Sequence, residues 1–298
     1  YRPMNGKMYR MFPIETHRGC PYRCSFCNSP VQMDQYKEEA NSKFFRKKDF
    51  DLLFNEIRFF IKEYQAEAFY FWADTFLSFN KKEFHEFCER YEDIRLPFYC
   101  QLRPEEITKD KIERLAALGL MRVNLGIEHG NEKFRQEILI RRVTNEEMLK
   151  RIRFVEDAGV QYSANNIIGF PLENRSLAMD TIEFNRKLKT DSYNVSIFTP
   201  FQGTPLRTLA IKNNFMSPDL VAKSDIVQLD MPDFTAEEIE SIRRCFIFYV
   251  KLPRNRWKDI RRAEKSDAIG NKLWNELKTE YLEMYNTEPL IHTANVPA

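Results

Sequence analysis

The chain has 298 residues, of which 43% are hydrophobic and 30% are charged, with a formal net charge of +2. This length suits one large domain, or one domain with a small appendage, and the apolar fraction is enough for a core. A charge so close to neutral weighs against a nucleic-acid partner and excludes a protein-wide field that would draw the chain to an anionic membrane. No run of 18 apolar residues occurs, so we expect no membrane span.

The start of the chain lacks the apolar segment of a secretion signal. Because it begins with Tyr1 rather than Met, the alternatives are a trimmed chain, a processed chain or a fragment, and a preceding domain is compatible with each. Three of the six cysteines, Cys88, Cys100 and Cys245, are isolated in apolar surroundings, which favours buried thiols. We therefore expect a reducing, cytoplasmic setting rather than a disulfide framework.

Apolar runs typical of strands alternate with helical patterns along most of the chain. The predicted elements, in chain order, are a strand at 11–16, a helix at 49–64, a strand at 68–72, a helix at 81–91, a strand at 97–102, a helix at 109–118, a strand at 121–127, a helix at 145–158, a strand at 160–168, a helix at 176–188 and a strand at 193–198. This alternation predicts parallel strands with right-handed crossovers. Both a doubly wound sheet and a partial β/α barrel fit it.

Unusual polar residues follow the carboxyl end of each predicted strand, where ligands bind in both architectures. They are Cys20–Cys27 after the first strand, Asp74 after the second, Arg103 after the third, Glu128 after the fourth, Gly169–Pro171 after the fifth and Thr199–Pro205 after the sixth. Their common position predicts one shared active site. Residues beyond about 218 are mostly helical, with main helices at 235–250 and 268–285, so we divide the chain into 1–215 and a C-terminal extension at 216–298.

Cys20, Cys24 and Cys27 have the spacing C-x3-C-x2-C, which lets three thiolates in one loop converge on one centre. Three ligands are one short of a closed zinc site, and no fourth Cys or His lies at finger-like spacing. On a cubane iron–sulfur cluster, three cysteines leave one iron open for a substrate to chelate. The alternative is a set of structural or zinc-binding cysteines.

This cysteine motif, with Phe26 directly before the third cysteine, resembles that of the radical SAM superfamily, and the resemblance extends over roughly residues 10–210. It implies a partial (β/α)6 TIM-like barrel with a helical C-terminal extension. It further implies a [4Fe–4S] cluster on the three cysteines, whose open iron binds the amino and carboxylate groups of S-adenosylmethionine (SAM). One electron, from a reductant such as flavodoxin or ferredoxin, then cleaves SAM to a 5′-deoxyadenosyl radical. The substrate, a small molecule or a peptide, is not implied.

The resemblance also implies SAM contacts at several strand ends. Asp74 would hold the SAM amino group, Glu128 in the family's G-x-E-x-G would bind a ribose hydroxyl or an ammonium, and Arg141 would pair with the SAM carboxylate. Arg142 is the alternative to Arg141, and Ile168 would bound the adenine slot together with Gly169. His129 is interpreted as structural.

The loop at 198–205 and the C-terminal segments at 246–257 look like those of cobalamin-dependent radical SAM proteins, in which a cobalamin domain precedes the barrel. Too few residues precede Cys20 to form such a domain. Either that domain is missing, which implies methyl transfer to an unactivated carbon or a radical rearrangement, or the protein works without cobalamin. The second functional class that fits is a degenerate barrel whose cluster is structural or transfers electrons.

Overall fold

The computed structural model describes residues 1–190 and 192–285. The strands are β1 (Arg2–Met4), β2 (Lys7–Tyr9), β3 (Met11–Glu15), β4 (His17–Arg18), β5 (Arg46–Lys47), β6 (Ala68–Trp72), β7 (Phe98–Leu102), β8 (Leu120–Glu128), β9 (Gln161–Ile168) and β10 (Ser192–Ile197). The helices are α1 (Ser29–Ala40), α2 (Phe50–Tyr64), α3 (Lys81–Tyr91), α4 (Lys109–Ala117), α5 (Glu132–Glu137), α6 (Asn145–Asp157), α7 (Arg175–Asn185), α8 (Pro205–Lys212), α9 (Ala236–Lys251), α10 (Trp257–Ala263) and α11 (Ala268–Tyr285).

Six parallel strands form the central sheet, in the order β10-β9-β8-β7-β6-β3. The strands follow one another across the sheet in chain order, without the reversal of a doubly wound sheet, so the architecture is the expected partial TIM-like barrel of six strand–helix units. The six predicted strands are confirmed within one or two residues. All six carboxyl ends lie on one side of the sheet, because every pair is parallel.

The side chains of each strand alternate between the helices and the barrel interior. Those directed at the helices, such as Phe69, Phe71 and Leu125, are fully buried in a large apolar cluster with residues of α2, α3, α4 and α6. The helices start at defined caps. Asn80 and Glu83 form a reciprocal capping box at α3, and the Thr144 hydroxyl accepts from the Glu147 amide at α6.

The helices α9 and α11 confirm the predicted helices at 235–250 and 268–285, α10 lies between them, and residues 286–298 lie outside the described chain. Their apolar residues belong to a second cluster that also contains Ile168, Phe170 and Ile197 from the barrel. The extension therefore packs against the β9–β10 side of the sheet and shares one core with it. No helix within 1–190 and 192–285 combines the length and apolarity that a membrane crossing needs.

Two small β-structures were not apparent in the sequence. The antiparallel hairpin β1–β2 lies at the amino ends of the barrel strands, where Asn5 Nδ2 donates to the Met121 carbonyl at 3.5 Å. The antiparallel pair β4–β5 lies at the opposite end and follows β3 directly. The barrel thus has two differently built ends, and β4 leads into the cysteine loop.

Candidate active site

The three cysteines lie in the loop that joins β4 to α1. Gly19 begins this loop with φ of +82°, and a Cβ there would come within 2.8 Å of the Phe44 ring, so only glycine fits. The Cys27 amide donates to the Cys24 carbonyl at 3.2 Å, and the Cys20 amide donates to Ser29 Oγ at 3.1 Å. These bonds fold the loop back onto the first turn of α1.

The thiols are shielded from water to different degrees. Cys20 and Cys24 are buried, whereas Cys27 is half-buried. Burial raises the pKa of Cys20 to about 12 and that of Cys27 to about 11. Both thiols are therefore protonated at neutral pH, and iron binding must displace their protons.

The donor set determines which metal group these cysteines suit. Across the described parts of the chain, no three His, Cys, Asp or Glu side chains gather closely enough to hold a metal ion. Three thiols in one loop match the donor set of a cubane cluster that keeps one iron open, since its irons take one thiolate each.

Arg103, at the end of β7, connects this loop to the rest of the barrel mouth. Its Nη1 donates to Cys24 Sγ at 2.9 Å, and its guanidinium lies 3.8 Å from the centre of the Tyr22 ring. Its Nη2 donates to Glu105 Oε1 at 2.8 Å. Its Nε is buried without a partner. Arg103, whose role the sequence left open, therefore lies directly beside Cys24, one of the three predicted cluster ligands.

Glu105 accepts from a second arginine as well. Arg141 Nε donates to Glu105 Oε1 at 2.9 Å and Arg141 Nη2 donates to Glu105 Oε2 at 2.6 Å, which is a bidentate pair. Burial acts to raise the pKa of Glu105, but Arg141, and after it Arg103, outweigh burial and lower this pKa to about 2. Glu105 is a site residue that the sequence reasoning missed. The signal available was its position two residues after Arg103, at a strand end.

The third nitrogen of Arg141 is also engaged, since Nη1 donates to the Gly126 carbonyl at 2.8 Å and lies 3.3 Å from Glu128 Oε1. Arg141 is 1% exposed. The residue predicted to pair with the SAM carboxylate thus has its fork filled by Glu105. The structure places it as the support that positions Glu128 and Glu105, and it leaves the neighbouring Arg142 outside this network.

Glu128 itself sits at the end of β8 with φ of +65°, a strained value for a residue with a side chain. Its carboxyl lies over Gly126, where a Cβ would come within 2.5 Å of Glu128 Oε1. Burial raises the pKa of Glu128, and Arg141 opposes that shift only in part. This carboxylate has no full bidentate partner, so it is available to a hydrogen-bonding ligand.

Asp74 is exposed at the end of β6 and reaches the side chain of Ser29 at the start of α1. Its charge acts on the thiols of both Cys20 and Cys27. The structure therefore brings Asp74 next to the cysteine loop, as its place at a strand end predicts. Phe26 is partly buried, and its ring lies 5.8 Å from that of Phe170 on the other side of the loop.

Ile168 is fully buried in the second apolar cluster. Ile167 and Asn165 occupy the half-buried face of β9, and Ile167 packs against the same cluster. Because side chains alternate along a strand, Ile167 and Ile168 lie on opposite faces of β9. The contact of Ile168 with the adenine stays a prediction, and Ile167 is the alternative on the other face.

His129 is fully buried and accepts at Nδ1 from the Asn131 amide at 3.1 Å, so its proton is on Nε2, 3.2 Å from Glu173 Oε1. Glu173 Oε2 in turn accepts from the Gly169 and Phe170 amides at 2.6 and 2.9 Å. This chain of bonds fixes the loop after β9 to the end of β8. It agrees with a structural role for His129.

Comparison with known proteins identifies the same part of the chain. The model of the Radical SAM superfamily matches residues 14–184, which is more than half of the chain. An uncharacterized methyltransferase of Pyrococcus horikoshii is 27% identical over 252 residues, covering 83% of this chain and 53% of that protein. The anaerobic magnesium-protoporphyrin IX monomethyl ester cyclase of Rubrivivax gelatinosus is 28% identical over 207 residues, covering 67% of this chain and 34% of that protein.

Among solved structures, the radical SAM methyltransferase TsrM from Kitasatospora setae, with cobalamin and a [4Fe–4S] cluster bound, superposes with a TM-score of 0.62. It is 15% identical and covers 93% of this chain and 62% of that chain, a likeness that concerns the fold. The chain spans between a third and about half of the length of the two curated relatives.

Proposed function

Because the chain belongs to the radical SAM superfamily, we propose that Cys20, Cys24 and Cys27 hold a [4Fe–4S] cluster and that the barrel mouth binds SAM for reductive cleavage. When bound, the cluster supplies the electron that breaks a carbon–sulfur bond of SAM. The observation that carries the proposal is the convergence of the cysteine loop, Arg103 and the Glu105–Arg141–Glu128 network at one end of the barrel.

The residues of this chain have separable roles in the proposal. Glu128 accepts hydrogen bonds from a ribose hydroxyl or from the SAM ammonium, and its strained backbone is held in place by Arg141. Asp74 is the second acceptor for the ammonium, beside the cysteine loop. Ile168 borders the adenine, with Ile167 as the alternative on the other face of β9, and Arg103 keeps a positive charge next to Cys24.

Arg103 has a physical task at that position. A cluster with three thiolates carries negative charge into a partly buried loop, and a nearby guanidinium stabilises that charge through the low local dielectric. Glu105 prevents the guanidinium from swinging away, since it holds Nη2 at 2.8 Å while Nη1 faces the sulfur. Arg103 is thus proposed as a positioning and electrostatic residue for the cluster.

Methyl transfer is the reaction class that we propose for the SAM-derived chemistry. One curated relative is itself named a methyltransferase, and residues 14–184 belong to the superfamily to which such enzymes belong. Cobalamin is the candidate methyl carrier for such a reaction, and a small molecule or a peptide is the candidate substrate. A low-potential reductant, such as flavodoxin or ferredoxin, is the proposed partner that delivers the electron.

Anaerobic reconstitution tests the proposal. The chain is incubated with ferrous iron and sulfide, reduced with dithionite and mixed with SAM, and 5′-deoxyadenosine and S-adenosylhomocysteine are quantified by chromatography. Formation of 5′-deoxyadenosine supports reductive cleavage. S-adenosylhomocysteine that forms only when hydroxocobalamin is added and reduced to cob(I)alamin, which accepts the methyl group of SAM, supports the methyl-transfer part.

Two other results decide against the proposal. An assembled cluster that cleaves no SAM favours a structural or electron-transfer cluster, the second class that fits the sequence. Zinc without iron in anaerobically purified protein contradicts both readings. A matched control is Cys88→Ala. Cys88 lies on α3, is buried in the first apolar cluster and is outside the cysteine loop.

A further inference from the structure

A polar cavity lies at the amino ends of the barrel strands, opposite the cysteine loop. We call it the floor cavity. The hairpin β1–β2 crosses this end, with Met4 and Tyr9 packed against Tyr70 in a small apolar cluster of its own. A cavity of about 400 Å3 remains between the hairpin and strands β7 and β8. It is lined by Arg2, Pro3, Met4, Tyr99, Arg122 and Asn124.

The polar side chains of this floor cavity are two arginines, a tyrosine and an amide, and Arg2 donates a hydrogen bond to the Tyr99 hydroxyl. Arg122 uses Nη2 to donate to Ser192 Oγ at 2.7 Å, and no carboxylate within residues 1–190 and 192–285 forms an ion pair with Arg2 or Arg122. Asn124 Oδ1 is occupied, since it accepts from Ser163 Oγ at 2.7 Å, which leaves the amide Nδ2 as the free end.

Tyr99 stands between the two arginines. It pairs with Arg122 in the parallel register of β7 and β8, so both side chains share one face of the sheet. Its ring stacks on that of Tyr70, with the centroids 4.2 Å apart. Burial raises the pKa of Tyr99, and the charges of Arg2 and Arg122 oppose that shift. The phenol is therefore protonated at neutral pH and can donate.

The half-buried Arg122 loses part of its hydration in this cavity, which is unfavourable unless an anion supplies a counter-charge, and the exposed Arg2 lines the same cavity. Burial indeed acts to lower the pKa of Arg122. Glu156 and Asp157 line the neighbouring cavity, but neither forms an ion pair with Arg2 or Arg122 within residues 1–190 and 192–285. Glu156 Oε1 already accepts from Tyr162 Oη at 2.6 Å and from the Lys189 amide at 3.0 Å.

We propose that the floor cavity binds an oxyanion, a carboxylate or phosphate group, between Arg2 and Arg122, with Tyr99 and Asn124 as further donors. The planar guanidinium fork matches both kinds of oxyanion. The site is separate from the SAM contacts, because Arg122 and Glu128 are six residues apart on β8, or about 20 Å at the rise of a strand. It therefore stands whether or not the chain cleaves SAM.

Titration of the full chain with inorganic phosphate and with succinate, at constant ionic strength against chloride, tests this site by calorimetry and thermal shift. At least one of the two probes is expected to bind and to raise the melting temperature; which of them binds more tightly separates a phosphate from a carboxylate ligand. In Arg122→Gln the affinity should fall about tenfold or more, the loss of a charge-assisted hydrogen bond.

Three further variants keep the test decisive. Asn124→Asp has nearly the same shape but puts a negative charge into the cavity, so it should abolish binding, and it serves if Arg122→Gln does not fold. Arg243→Gln removes a partly buried arginine that pairs with Asp225 elsewhere, and its affinity should be unchanged. The proposal is wrong if neither anion binds better than chloride, or if Arg142→Gln at the barrel mouth loses binding while Arg122→Gln retains it.

Discussion

The two ends of the barrel contain arginines in opposite electrostatic situations. At the carboxyl end, Arg103 and Arg141 share the carboxylate of Glu105, and Arg141 also reaches Glu128. At the amino end, Arg2 and Arg122 face a cavity without a carboxylate partner among the described residues. Arg122 at the amino end and Glu128 at the carboxyl end belong to the same strand, so β8 contributes both to the unpaired end and to the paired end of the barrel.

This difference indicates how each end meets its ligand. Where arginine and carboxylate are already paired, the charges form a rigid scaffold, and the ligand meets preorganised groups such as Glu128 and the thiols. Where arginines are unpaired, the protein itself lacks the counter-charge, and a ligand has to supply it. The predictions below test that distinction, from the largest expected effect to the smallest.

The cysteine loop should give the largest effect. In Cys24→Ala the thiol beside Arg103 is lost, and we expect no stable cluster and complete loss of SAM cleavage, because an iron–sulfur cluster needs its thiolates. Visible absorbance and iron content after anaerobic reconstitution measure this, with Cys88→Ala as the control. A full cluster with SAM cleavage in Cys24→Ala would show that the ligand assignment is wrong.

Removing the carboxylate that joins the two arginines should cost stability. For Glu105→Gln we expect a loss of about 3 kcal/mol in the free energy of unfolding, because two mostly buried guanidinium groups lose their counter-charge. Glu147→Gln is the matched control, since Glu147 pairs with Arg151 at a more exposed site and should cost less than about 1 kcal/mol. Urea denaturation of both variants measures the difference.

The same substitution should change the pH dependence of stability. The pKa of Glu105 is about 2 in the folded chain, below its value of roughly 4.3 in an unfolded one. Its contribution is therefore fully present above about pH 5 and is lost as the pH falls towards 2. Glu105→Gln should be flatter than wild type over this acid range. Parallel pH profiles would contradict the pairing.

The sequence predicted the six strands of the sheet and the helices between them well because they alternate with clear apolar periods, as in β6 and α3, whose limits agree with the structure. The alternation fitted a doubly wound sheet as well, and the barrel was implied by the resemblance of the cysteine motif. It did not predict the hairpin β1–β2, whose three-residue strands are too short to show a period. The floor cavity, which depends on that hairpin, was therefore not visible either.

At the barrel mouth, the sequence predicted which strand ends contribute but not how their side chains pair. Arg103 and Arg141 converge on Glu105 only through the tertiary fold, since Arg141 lies 36 residues away from it along the chain. Ile167 and Ile168 are both apolar, and because a shift of one residue on a strand exchanges the two faces, either could border a ligand. Periodicity cannot resolve that choice where β9 is largely buried.

Glu128 provides a further test of the carboxyl end of the barrel, where arginines and carboxylates are paired. In Glu128→Ala the cluster should still assemble, and the dissociation constant for SAM should rise about tenfold, as expected for the loss of one hydrogen bond to a charged group. Equilibrium binding of SAM to the reconstituted protein measures it. Glu137→Gln is the control, because Glu137 is exposed on α5 nearby. Equal SAM affinity in Glu128→Ala would remove Glu128 from the site.

The smallest effect is expected at the unpaired end, in chloride buffer without an oxyanion. Arg122→Gln should lie within about 1 kcal/mol of wild type in the free energy of unfolding, or be more stable, because the substitution removes a charge that pairs with no carboxylate within residues 1–190 and 192–285. Arg141→Gln, by contrast, should lose about 3 kcal/mol, because it leaves Glu105 short of its bidentate partner. Urea denaturation of both variants measures this contrast between the half-buried Arg122 and the buried Arg141. Equal losses would mean that Arg122 is already compensated in the folded chain, and the distinction between the two ends of the barrel would then fail.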